Sequence, residues 1–326
     1  MKKALITGIT GQDGRYLAKY LVSLGYTVFG MVSGQNNPNQ YWLHQHLPEA
    51  ILIEADLRDL SSLINAIQIS DPDEVYNLAA ISHVGMSWKQ PELVGEVTAL
   101  GVLRMLEALR IYTKNDMSKI KFYQASSSEI FGKAQEVPQT ETTRLYPRSP
   151  YGVAKAFGHH ITVNYRESYG AFACNGILFN HESPLRGEEF VTRKITNGVA
   201  KIKYGKQDKI RLGNIETKRD WGYAGDYVKA MHLILQQNIP DDYVISTEES
   251  HSIREFLDLA FQRAEIDNWE NYVVYDKEFS RPADVDILLG NCKKAKDVLG
   301  WTPEVKFKDL VHMMVDYDLE KESKNV

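Results

Sequence analysis

Two short stretches of this chain hold side chains able to move protons, Ser126-Ser127-Ser128-Glu129 and Ser149-Pro150-Tyr151-Gly152-Val153-Ala154-Lys155. On a helix, Tyr151 and Lys155 would share one face, because residues at i and i+4 are neighbours there. Ser149 and Pro150 are types favoured at the N-cap and the first helical position, so a helix is expected to start at that point. An ammonium beside a phenol favours the phenolate. It would lower the tyrosine pKa and let Tyr151 act as a base near neutral pH. Spacing alone is not selective, since Tyr317 and Lys321 repeat it in a charged segment that reads as a solvated helix.

The elements upstream select between the two pairs. Ala4 to Thr7 reads as an apolar strand, Gly8-Ile9-Thr10-Gly11-Gln12-Asp13-Gly14 as a glycine-rich turn, and Tyr16 to Leu21 as helical. Gly8, Gly11 and Gly14 would allow a tight turn and close approach of a pyrophosphate, whose charge meets amides at the helix N-terminus. A strand before and a helix after is the context of a dinucleotide site, and it makes Thr10, Gln12 and Asp13 candidate contacts as well. Thr27 to Val32 and Ile51 to Leu57 read as the second and third strands, joined through a polar loop from Ser33 to Gln40. An acid after the second strand marks NAD and a basic residue marks NADP. Met31-Val32-Ser33-Gly34 offers neither, and the missing acid points to NADP, with NAD the alternative. Asp56 and Leu57 suit the adenine edge; Asp56 could equally cap the helix that begins near Asp59. Glu74 to Ala80 reads as a fourth strand whose end, Leu78-Ala79-Ala80, could lie against a cofactor. A helix from Pro91 to Ile111 and a fifth strand from Lys119 to Ala125 follow. Ser126 to Glu129 then falls just past a strand end, where open α/β sheets bind ligands. Only Tyr151 comes after such a cluster.

Beyond a sixth strand, Phe172 to Phe179, the alternation breaks down. The chain continues through a loop from Asn180 to Gly187, helices over Phe190 to Lys203 and Asp226 to Gln236, and the polar stretches Gly213-Asn214, Lys218-Arg219-Asp220-Trp221 and Arg281-Pro282-Ala283-Asp284. Cations scattered over loops could hold a charged substrate, or be ordinary surface charges. The expected class is α/β, a Rossmann-like doubly wound parallel sheet with a smaller, mostly C-terminal substrate-binding domain. Residues 1–181 and 216–248 are expected to form the dinucleotide-binding part, and 182–215 and 249–326 the substrate-binding part.

Composition narrows the function. With 326 residues, 43% hydrophobic and 25% charged, the chain can build a large core. A net charge of -5 and a pI near 6.0 give no basic footprint for nucleic acid. No apolar run approaches a membrane span, and Met1-Lys2-Lys3 leads into a strand without a signal-peptide core, so a cytoplasmic location is expected. Cys174 and Cys292 are too few for a disulfide framework and lack ligand spacing; they read as buried small hydrophobes, and no metal is expected.

Longer segments carry a resemblance. The first glycine motif, Ile6 to Gly14, is shared by many sugar-nucleotide enzymes. More specific are Tyr146-Pro147-Arg148-Ser149-Pro150-Tyr151-Gly152, Asn175 through Pro184, Phe190-Val191-Thr192-Arg193-Lys194, Lys218-Arg219-Asp220-Trp221-Gly222 and Arg281-Pro282. Over essentially its full length the chain resembles the extended short-chain dehydrogenase/reductase family and, within it, the GDP-mannose 4,6-dehydratases. The resemblance implies a hydro-lyase with catalytic NAD(P) that makes a 4-keto-6-deoxy sugar. Tyr151, supported by Lys155, would take the C4 hydroxyl proton, Glu129 the C5 proton, and Ser127 would bond the substrate oxygen. Asn180, Lys194, Arg219 and Arg281 would hold the nucleotide diphosphate and ribose, with Asp284 near the ribose and Ser87, Glu182 and Gly213 also in contact. A homodimer or homotetramer is implied too. The chain departs from the family at Ser127, where threonine is usual, at Ser33-Gly34, where paired arginines are usual, and at Asp284, where glutamate is usual. These bear on cofactor, assembly and sugar, a GDP-heptose being one alternative substrate.

A 4-keto reductase or epimerase acting on a GDP-sugar would share Tyr151 and Lys155 but need no C5 base, so Glu129 favours the dehydratase. A noncatalytic nucleotide-binding protein on this fold would be free to lose the Tyr-Lys pair, and this chain keeps it.

Overall fold

The computed structural model describes residues 1–34, 37, 40–277, 285 and 288–324. Alternating strands and helices build its first part: β1 (Lys3–Thr7), α1 (Gln12–Ser23), β2 (Thr27–Val32), α2 (Gln40–His46), β3 (Ile51–Glu54), α3 (Leu60–Ser70), β4 (Glu74–Asn77), α4 (Val84–Lys89), α5 (Pro91–Val94), α6 (Gly101–Tyr112), β5 (Lys121–Ser127), α7 (Pro150–Tyr169) and β6 (Ala173–Leu178). The later elements are β7 (Asn180–Glu182), α8 (Val191–Lys203), β8 (Ile210–Leu212), β9 (Lys218–Arg219), β10 (Trp221–Tyr223), α9 (Ala224–Leu235), β11 (Tyr243–Ile245), β12 (His251–Ser252), α10 (Ile253–Arg263), β13 (Val273–Tyr275) and α11 (Phe307–Ser323).

Seven strands in the order β11-β6-β5-β4-β1-β2-β3 pair in parallel into one sheet. Helices cover both faces, which is why Ala4, Leu5 and Ile6 of β1 are all fully buried rather than alternately exposed. On one face Ile6 packs in a cluster with Leu17 and Leu21 of α1 and Met231 and Ile234 of α9. Leu5 joins Leu63 and Ile67 of α3 and Met105 and Leu109 of α6 on the other. The order reverses between β1 and β4, opening a crevice at the carboxyl edge of the sheet. A further cluster, drawn wholly from residues after Asn180, joins α8, α10 and α11 through Ile195, Val199, Phe256, Phe261, Leu310 and Met314.

Several elements differ from their sequence-based expectation. β5 runs through Ser127, its Ser126 and Ser127 pairing with Ile177 and Leu178 of β6, so these hydroxyls belong to the strand rather than to the loop beyond it. β3 and β4 stop at Glu54 and Asn77, so Asp56-Leu57 and Leu78–Ala80 lie past the strand ends. The helix from Pro91 carries a π-helical stretch over Gly95–Leu100 before α6. β11 has no counterpart among the expected strands, because its three residues are too few to show periodicity. Cys174 and Cys292 are free and buried. Among the described residues, no helix is long and apolar enough to cross a membrane.

Candidate active site

At the turn after β1, Gly8 has φ +69°, and a Cβ there would lie 2.9 Å from Ala79 Cα, so only glycine lets the turn rest on the end of β4. The Gly11 amide donates to Gly8 O at 3.0 Å and tightens it. Thr7 Oγ1 donates to Asn77 Oδ1 at 2.8 Å and accepts from the Leu78 and Ala79 amides at 3.0 Å each. Gly8, Thr10, Gly11, Gln12, Asp13 and Gly14 therefore face Leu78, Ala79 and Ala80 across one cavity of about 1480 Å³. Pockets for a single small ligand are roughly 300–1,000 Å³, so this cavity has room for a dinucleotide and a second ligand. In the wall, Ser126 Oγ is buried without a hydrogen-bond partner, an atom that a bound ligand would satisfy. The residues present fit a dinucleotide: glycines bare the backbone, and the first turn of α1, from Gln12 to Gly14, lines the cavity.

Asp56 and Leu57 line the same cavity. The Asp56 carboxylate accepts from the Arg58 amide, Nε and Nη2 at 2.8, 3.0 and 2.7 Å. Arg58 thereby holds its pKa down. Asp59, not Asp56, caps α3, accepting from the Ser61 amide at 3.0 Å, which removes the capping alternative for Asp56.

The proton-moving side chains converge at the end of β5. Ser149 accepts from the Gly152 amide at 3.0 Å and Pro150 opens α7, as its sequence predicts. A Cβ on Gly152 would come 2.7 Å from Glu129 O, so glycine lets the first turn of α7 lie against the Ser128–Ile130 turn. Ser127 Oγ accepts from the Glu129 amide at 3.2 Å, and its hydroxyl acts on Tyr151 to favour the phenolate. Ser127, Glu129, Tyr151 and Lys155 all face the cavity and all are largely buried. Lys155 Nζ lies 5.8 Å from the centre of the Tyr151 ring and donates to Ala125 O at 2.7 Å. One expectation is corrected here. The sequence alone points to a lowered Tyr151 pKa; in the structure burial pushes it up to about 12, the Ser127 hydrogen bond opposing and the Glu129 charge adding to the rise. Burial also pulls Lys155 down to about 8. Desolvation outweighs the cation because the ammonium is satisfied by the Ala125 carbonyl rather than by the phenol.

On the opposite wall, β7 pairs with β10 and presents Asn180 and Glu182 to the cavity, which Lys194 of α8, Gly213 and Arg219 also line. Glu182 accepts from Thr192 Oγ1 at 2.6 Å and lies 3.1 Å from Arg186 Nε. Arg219 is buried and donates through Nη1 to the main-chain oxygens of Lys218 and Val285 at 2.7 and 3.1 Å. Ser87 is fully buried, its hydroxyl donates to Val84 O at 2.6 Å, and it is not among the cavity-lining residues, as its neighbours Met86 and Trp88 are. The i→i−3 bond back to the helix uses the hydroxyl's hydrogen and leaves its oxygen as an acceptor. Arg281 and Asp284 lie outside the described residues. Tyr317 is exposed and Lys321 pairs with Glu188 at 3.1 Å; neither is among the cavity-lining residues.

Residues 5–314 match the family model described as GDP-mannose 4,6 dehydratase. GDP-mannose 4,6 dehydratase 2 of Arabidopsis thaliana is 54% identical over 98% of this chain and 87% of its own length. The chain belongs to the GDP-mannose 4,6-dehydratase family. The GDP-mannose 4,6-dehydratase of Yersinia enterocolitica is 46% identical, over 98% of this chain and 95% of its own. Among solved structures, the UDP-glucose 4-epimerase of Thermus thermophilus in complex with NAD superimposes with a TM-score of 0.84 at 26% identity, covering 98% of this chain and 99% of that one. The RMD protein of Pseudomonas aeruginosa with NADPH, at 23% identity and TM-score 0.80 over 98% and 100% of the two chains, shares the fold. Both superpositions run over nearly the whole chain and include its seven-stranded parallel sheet.

His83, Lys89, His181 and Arg186 line the cavity without having been singled out in the sequence. Asp13 Oδ2 lies 2.7 Å from His181 Nε2, so the glycine-rich turn is tied to β7 across the cavity floor. Burial opposes this pair, yet His181 and its hydrogen bond hold Asp13 down at about 2, and Asp13 in turn raises His181. Arg186 stacks on Phe190 at 3.6 Å, and its charge favours the ionised form of Tyr151. His83 caps α4, its Nδ1 accepting from the Met86 amide at 3.2 Å, and lines the cavity with Lys89. The one sequence signal was the Glu182-to-Arg186 spacing; the Asp13-His181 contact spans 168 positions and leaves none.

Proposed function

We propose that this protein converts GDP-mannose, or a closely related GDP-sugar such as a GDP-heptose, to the GDP-4-keto-6-deoxy sugar, with NADP as the regenerated cofactor and NAD as the alternative. The observation that carries this reading is that Glu129 and Tyr151 reach one cavity on either side of Ser127. The chemistry a bound nicotinamide supplies is hydride exchange, out of C4 and back to C6, without net oxidation. Tyr151 takes the C4 hydroxyl proton as the C4 ketone forms, with Ser127 donating to or accepting from the same oxygen. The ketone acidifies C5. Glu129 removes that proton and hands it to the departing C6 hydroxyl, which leaves as water; a proton returns to C5 once C6 is reduced. Lys155 supplies positive charge one helical turn from the phenol. A reductase or epimerase needs no such carboxylate.

Asn180, Lys194 and Arg219, with Glu182 and Gly213 beside them, hold the nucleotide diphosphate and ribose in this reading, and the cluster joining α8, α10 and α11 forms the substrate-binding part. The working unit is a homodimer or a homotetramer. Support comes from an apolar face on α7, where Val153 is 56% and Phe157 38% exposed next to Trp88 and Tyr146, a surface suited to a second copy.

Purified protein given GDP-mannose and a catalytic amount of NADP⁺ should yield a 4-keto-6-deoxy product while reduced cofactor does not accumulate. Stoichiometric NADPH, or no turnover across a panel of GDP-sugars, would sink the dehydratase reading.

A further inference from the structure

The end of β2, where a dinucleotide site distinguishes NAD from NADP, carries Ser33 and Gly34, both exposed. A Cβ at Gly34 would meet nothing within 4 Å, so the space there is open. A cation reaches this edge from the neighbouring strand. β2 and β3 pair with Val32 opposite Glu54, and the Ala55 amide extends the pairing by donating to Val32 O at 3.0 Å. The Asp56-Leu57-Arg58 turn consequently emerges beside Ser33, and Met31, Ser33, Asp56 and Arg58 line the cavity together.

The Arg58 guanidinium is held there, Nε and Nη2 donating to the two Asp56 carboxylate oxygens at 3.0 and 2.7 Å. That side-on pair occupies one edge and leaves Nη1 and the second Nη2 hydrogen, a fork suited to a phosphate. It also neutralises Asp56, an acid that would otherwise repel an anion. In a chain of net charge -5, an extra phosphate needs such a local cation.

We propose that Arg58 reads the 2′-phosphate of the cofactor, with Asp56 positioning it, so that NADP is selected from the third strand instead of the second. This rests on the NADP reading above. The test is calorimetric binding of adenosine 2′,5′-bisphosphate and 5′-AMP, fragments without nicotinamide, to wild type, Arg58→Ala and Arg58→Lys. Wild type should prefer the bisphosphate. Arg58→Ala should weaken the bisphosphate about ten- to a hundredfold and leave 5′-AMP unchanged, because a charge-assisted contact is lost at one group only. Arg58→Lys should fall between, keeping charge but not the fork. The Arg58 side chain is 54% exposed, so neither variant disturbs the core. If wild type binds both fragments alike, the NADP reading and the Arg58 assignment fall together. If wild type discriminates and Arg58→Ala discriminates equally, the Arg58 assignment alone falls.

Discussion

The Lys155 ammonium donates to the main-chain oxygen of Ala125 at 2.7 Å, which fixes the long side chain beneath the end of β5. α7 is thereby joined to the strand that bears Ser127, and a positive charge is placed 5.8 Å from the Tyr151 ring centre. The arrangement is unfavourable for the charge itself, since burial lowers the Lys155 pKa from 10.5 to about 8.

That lowering gives a signed pH dependence. Between about pH 8 and 10.5 the unfolded chain keeps the Lys155 proton while the folded chain has released it, so this group's contribution to stability improves as pH rises. Relative to Lys155→Met, wild type should gain about 3 kcal/mol in urea unfolding between neutral pH and pH 10.5. A stability difference that stays flat with pH would show that the ammonium is not desolvated. Turnover of Lys155→Met should fall by about 10²–10⁴.

Glu129→Gln should stop elimination and leave substrate binding within a few-fold, because the amide keeps the shape but cannot take a proton. Product formation should drop about 10²–10⁴-fold, and exchange of the C5 hydrogen with deuterated solvent should cease. Undiminished product would remove the role given to this carboxylate.

Gly152→Ala adds a methyl 2.7 Å from Glu129 O. Relief requires α7 or the Ser128–Ile130 turn to shift, which separates Tyr151 from Ser127. Overpacking of this kind costs about 1–3 kcal/mol. Thermal unfolding should show a modest loss, whereas kcat should fall at temperatures where the variant is fully folded. Wild-type kcat in a folded variant would show that the contact does not set the geometry.

His181→Asn removes the partner of Asp13, whose side chain is 21% exposed, so the loss should fall below the about 3–5 kcal/mol of a fully buried pair. The pH window follows from both partners. The contribution of Asp13 is present above its ordinary 3.8 and disappears as pH falls toward about 2. That of His181 is complete below its ordinary 6.5 and disappears as pH rises through its raised folded value. Wild type should therefore outlast the variant most clearly between about pH 4 and 6.5. Equal melting temperatures there would mean that the pair carries no net stability.

The sequence alone determined the features that are local in the chain. The glycine turn between β1 and α1, the Ser149-Pro150 start of α7, and the one-face placement of Tyr151 and Lys155 follow from backbone preferences within a few residues. The parallel sheet was legible because buried strands are apolar on both faces and alternate with helices. The tertiary structure alone decided what depends on contacts between distant segments. Burial set the Tyr151 and Lys155 ionisation against the sign that adjacency suggests. Asp13 met His181 across 168 positions, and the Asp56-Arg58 pair, itself local in the chain, came to lie beside Ser33 through the pairing of β2 with β3. Desolvation and ion pairing depend on which atoms exclude water from a group, and in a folded chain those atoms come from segments far apart in sequence.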